Sequence, residues 1–110
     1  MSTVIPIQSE TVLAQAHRDA MAHIQDLAIT ITLQGVYAVN AEYSGHAHEL
    51  NVSVLVTSEI EEGNFKSTQR MRVELPGKYS WCGHHALEKL QAAARTLEAL
   101  LTPPKGDDAA

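Results

Sequence analysis

Four of the six histidines and the single cysteine fall in two short stretches, YSGHAHEL at residues 43–50 and SWCGHH at 80–85. His46 and His48 are two apart, so on a strand both imidazoles would face one side and could share a metal ion. Cys82 and His85 are three apart near a helix start, again a workable spacing. Brought together, the four would make a His-His-Cys-His tetrahedron suited to zinc, or a thiol activated by a helix amino terminus and neighbouring imidazoles. Neither pair, however, has the spacing of a paired-cysteine knuckle or of the two-histidine helix of metalloproteases. Nothing around Cys82 supplies a base, an orienting group and an oxyanion hole together. The expectation is therefore no catalytic residue, no metal and no other cofactor. Zinc binding or thiol chemistry through His46, His48, Cys82 and His85 is the runner-up.

No phosphate-cradling glycine loop, Gly-x-Ser-x-Gly elbow or calcium loop is present in the chain. His17 falls on an apolar helical stripe and reads as a packed histidine with one nitrogen satisfied. Trp81 reads as a staple for the second helix. Glu59, Glu61 and Glu62 form an acidic hairpin tip, and Lys66, Arg70 and Arg72 follow on the next strand. These six are the candidate protein-binding residues.

The elements that must position them alternate between two periods. Leu13, Ala16, His17, Ala20, Ile24 and Leu27 recur at helical spacing, with Ser9 as N-cap and Glu10 in the first turn. From Ile29 to Tyr43 the period becomes two, which predicts a strand over 29–43 with Gly35 as a bulge. A two-residue turn at Ser44-Gly45 would pair Val39 with Leu50 and Tyr37 with Val52; a four-residue loop would keep the same faces. A second hairpin, turning over 61–64, would pair Val54 with Met71, Val52 with Val73, Glu59 with Lys66 and Thr57 with Thr68. Both hairpins agree that odd positions on the first strand, even ones on the second and odd ones on the third face the core. After Pro76-Gly77, Ser80 caps a helix with Leu87, Leu90, Ala94, Leu97 and Leu101 on its apolar stripe.

The fold class predicted is α+β, in the order α-β-β-β-α: a three-stranded antiparallel meander with two helices on one face. Residues 9–102 would form the single domain, 1–8 a flexible N-terminus and 103–110 a disordered tail. In element order the chain resembles double-stranded RNA-binding domains and small dimeric nucleoid-associated proteins. The resemblance is one of topology; the second helix lacks the basic amino-terminal cluster that the RNA-binding domains use on phosphates.

At 110 residues, 45% apolar and 19% charged, the chain suits one globular domain. A net charge of −5 argues against coating nucleic acid or an anionic membrane. One cysteine excludes an internal disulfide, and no leader or membrane-spanning run is visible, so a cytoplasmic location is expected. Three strands make a platform too narrow for two helices, and the two outer strands present open edges. Lys66, Arg70 and Arg72 discourage pairing at the third strand more than anything does at the first. These features predict a non-catalytic, homodimeric module that binds a protein partner, an accessory factor or inhibitor of bacterial or phage type. The alternative is nucleic-acid association through Lys66, Arg70 and Arg72 on the open sheet face.

Overall fold

Helix α1 (Gln15–Leu33) buries His17, Ile24, Leu27, Ala28 and Ile31, the three- and four-residue spacing of one helical face. The computed structural model describes residues 12–78 and 83–102, so Ser9, Glu10, Ser80, Trp81, Cys82 and both terminal segments lie outside the described residues. No Ser or Asp caps α1. Instead the Ala14 backbone N–H donates to Nδ1 of His17 at 2.9 Å, and that side chain satisfies one orphan donor. The helix ends where Gly35 takes φ +89°, a left-handed conformation that glycine adopts without penalty. Residues 29–33 are thus helical, not the first part of a strand. Ile31 continues the buried stripe four residues after Leu27, and that burial outweighs the strand preference of Ile29, Thr30, Ile31 and Thr32.

The sheet is a meander of β1 (Tyr37–Ser44), β2 (Glu49–Val56) and β3 (Gln69–Glu74), in spatial order β1-β2-β3 and antiparallel throughout. Its faces follow the alternation in the sequence: Val39, Leu50, Val52, Val54 and Val73 point into the core. The register differs from the tight-turn expectation. Val39 pairs with Val54 and Tyr37 with Val56, because Gly45–His48 form a four-residue loop. Parity survives a four-residue displacement, so the faces survive too. Between β2 and β3 stands α2 (Thr57–Glu61), a single helical turn where the second hairpin would have continued. Gly63, at φ +91°, closes it, with its N–H donating to Ile60 O at 2.9 Å. The expected Thr57–Thr68 and Glu59–Lys66 pairs therefore do not form; Val52 pairs with Met71 and Val54 with Gln69.

Helix α3 (Ala86–Glu98) buries Ala86, Leu90, Ala93, Ala94 and Leu97, while Leu87 is only half-buried. It packs beside α1 on the same sheet face, completing the α+β architecture with one core. Side chains tie the layers together. Gln34 receives the Thr102 N–H at 2.8 Å and donates to its carbonyl at 3.0 Å, pinning the chain after α3 to the end of α1.

Candidate functional site

The histidine pairs do not make one centre. His46 and His48 lie in the loop after β1 rather than on a strand. His48 takes φ 53° and its Nε2 meets the Pro76 carbonyl at 2.8 Å. A carbonyl only accepts, so Nε2 carries the proton and, in the neutral ring, Nδ1 receives the Tyr43 hydroxyl at 2.8 Å. His48 thus locks the β1–β2 loop onto the segment after β3. Lys78 reinforces that lock through the Gly45 and His46 carbonyls at 3.2 and 3.0 Å. His85 stands before α3, with Nδ1 3.5 Å from Glu88, and His17 is 5% exposed and holds the Ala14 N–H. Among the described residues no three His, Cys, Asp or Glu side chains gather as a metal set; Cys82 lies outside them.

The outer face of the sheet is polar and arranged in cross-strand rows. Asn40, Ser53 and Arg70 form one row, Glu42, Asn51 and Arg72 the next, and Ser44, Glu49 and Glu74 the last. Arg72 lies 3.7 Å from both Glu49 and Glu74, and the Asn51 amide donates to Glu49 at 3.0 Å. Arg70 and Lys66 make no ion pair among the described residues. Beside them is a cleft of about 500 Å³ lined by Leu55, Phe65, Lys66, Asn40, Ser53 and Arg70. Of the candidate protein-binding residues, the structure sets Lys66 and Arg70 together here. Arg72 sits in the adjoining row, while Glu59 and Glu61 belong to α2 and Glu62 follows it.

A third feature runs along the free edge of β1. The Thr57 N–H donates to Val36 O at 3.0 Å, so even-numbered residues of this segment bond to β2 and odd ones turn their backbone outward. The outward Val39 N–H is met by Thr32 Oγ1 at 2.9 Å; Ala41 and Tyr43 lie beyond that hydroxyl's reach along the strand. Beside this edge Ile29 (51% exposed) and Leu33 (81%) leave an apolar strip at the carboxyl end of α1, while Tyr43 (52%) stands at the far end of β1 and Val36 (49%) shares the even parity of the outer face. The alternation in the sequence had placed Ile29, Leu33, Tyr43 and Phe65 inward. Helical continuation turns the first two away from the core, and the loop after α2 carries Phe65 to 69% exposure.

The chain matches no family model, no curated protein and no solved structure.

Proposed function

We propose that this chain is a small, non-catalytic interaction module that acts as a homodimer, joined through the β1 edge. One observation carries the proposal: Ile29 and Leu33 at the carboxyl end of α1, and Tyr43 at the far end of β1, stand exposed beside an unpaired strand edge. Such edges are commonly blunted with lysine, proline or a bulge. On β1, YAVNAEYS offers one charge, Glu42, and no proline.

A second copy fits this edge by two-fold symmetry. If antiparallel pairing centres on Ala41, each Tyr43 lies opposite the other copy's Val39, next to Thr32 and the carboxyl end of α1. The exposed ring of one protomer then covers the Ile29–Leu33 strip of the other. Glu42 faces Asn40 rather than its own copy, which avoids a like-charge pair. The assembled module would act by occupying a protein partner's surface, as an accessory factor or inhibitor does. Glu61 and Glu62, exposed at the end of α2, are the charged side chains offered to that partner.

Sedimentation velocity over a concentration series tests this. The wild-type chain should approach twice the chain mass as concentration rises, and Ile29→Glu/Leu33→Glu should stay at one chain mass with unchanged far-UV circular dichroism. A wild-type chain that remains monomeric throughout would sink the proposal.

A further inference from the structure

We infer that the cleft at the β3 end of the outer sheet face binds a nucleotide, with Arg70 and Lys66 on the phosphate and Phe65 against the base. The inference goes beyond the dimer, because the cleft opens on the sheet face opposite the helices and not at the β1 edge.

Charge comes first. The structure divides the three cations Lys66, Arg70 and Arg72: Arg72 is matched by Glu49 and Glu74, whereas Arg70 and Lys66 have no carboxylate within ion-pair distance among the described residues. An unmatched guanidinium beside an ammonium recognises a doubly charged oxyanion, since the planar fork can give two parallel N–H donors to one phosphate. Glu59, on α2, accepts the Asn64 side-chain amide at 3.2 Å. Glu42 lies in the next row, towards the acidic end of the face.

An aromatic surface comes second. Phe65 is 69% exposed, and the cleft it lines is floored by Leu55, which is only 8% exposed although it points away from the helices. A base can stack on such a ring whichever base it is, because every base has a π-face. Polar atoms for the ring edge or the sugar come third. Asn40 donates to Ser53 Oγ across 3.4 Å, a long bond that leaves the Asn40 carbonyl and the Ser53 hydroxyl proton available. At about 500 Å³, the space is of small-ligand size. The ring-plus-phosphate chemistry can arrive as a free nucleotide or as one residue of a single strand.

Two probes distinguish those sources: uridine monophosphate by calorimetry, and a fluorescein-labelled oligothymidine by anisotropy, both at low salt. At least one should bind. Phe65→Ala and Arg70→Ala should each weaken binding by about tenfold or more, the scale of one lost stacked base or phosphate contact. Phe65→Tyr should retain affinity because it keeps the ring, and Arg72→Ala should change little. All three side chains are exposed, and circular dichroism checks that the four variants fold. Binding of the mononucleotide assigns the site to free nucleotides; binding of the strand alone, weakened by Phe65→Ala, assigns it to single strands. The inference is overturned if neither probe binds, or if Arg72→Ala weakens binding as much as Arg70→Ala while Phe65→Ala has no effect. The dimer-breaking variant should bind as the wild type does, so failure of the dimer and failure of this site are separable.

Discussion

Single residues in this chain do their clearest work where the backbone turns left-handed or passes close to itself. Gly83 has φ +91°, and a β-carbon there would overlap the Pro76 backbone and crowd the Leu75 carbonyl carbon. The approach brings the chain ahead of α3 onto the end of β3, where Leu75 is fully buried. Gly83→Ala should therefore lose about 1–3 kcal/mol from the backbone conformation alone, with steric overlap adding to it. Gly45→Ala is the control, since its added carbon would meet only Tyr43 Cε2 at 3.7 Å and no positive φ is required. Urea denaturation of both variants tests the contrast; equal stability would show that the Gly83 approach is not needed. The histidines carry their lesson at the same scale. Spacing at 46 and 48 suggested two ligands on one strand face. The structure instead uses His48 as a bridge between Tyr43 and Pro76, a role set by the loop and not by the spacing.

Among the elements, α1 shows how two periods can compete in one segment. Ile29, Ile31 and Leu33 alternate with threonines and look like a strand, yet Ile24, Leu27, Ala28 and Ile31 also satisfy the helical period. What decides between them is punctuation: Gly35 is the left-handed residue that ends a helix, and Gly63 does the same for α2. Both glycines are in the sequence, so these boundaries were legible to a cap-based argument and hidden from an alternation-based one. The sheet faces were legible because parity tolerates even register slips. Loop length was not, because Ser44-Gly45 is compatible with turns of two or four residues. The cleft was illegible for the same reason, since Phe65 and Lys66 leave the strand only once α2 has formed. A mutational contrast separates helix from strand. Ile31→Ala should cost about 2–4 kcal/mol, the range for emptying a buried aliphatic site. Leu33→Ala, at 81% exposure, should stay within about 0.5 kcal/mol in the dissociated chain. A strand over 29–33 would bury both residues and make the two losses similar, which denaturation at low protein concentration would reveal.

For the whole molecule, the question is which of two open edges the fold uses. Both β1 and β3 end the sheet, but they are defended differently. On β3 the Leu75 N–H donates to His48 O at 3.0 Å, so odd residues face β2 and the backbone of Arg70, Arg72 and Glu74 turns outward. Those same three residues carry charged side chains, which oppose docking of another strand. On β1 the outward groups of Ala41 and Tyr43 share their edge with the apolar strip, and a copy added there extends the meander to six strands. Both nucleotide clefts then lie on one continuous outer face. Amide hydrogen exchange can read this directly. In concentrated solution Ala41 and Tyr43 should exchange slowly and speed up on dilution, as the seam opens. Arg70, Arg72 and Glu74 should exchange fast at every concentration. Protection that appears at Arg70 and Arg72 instead would move the seam to β3 and close off the cleft from that side.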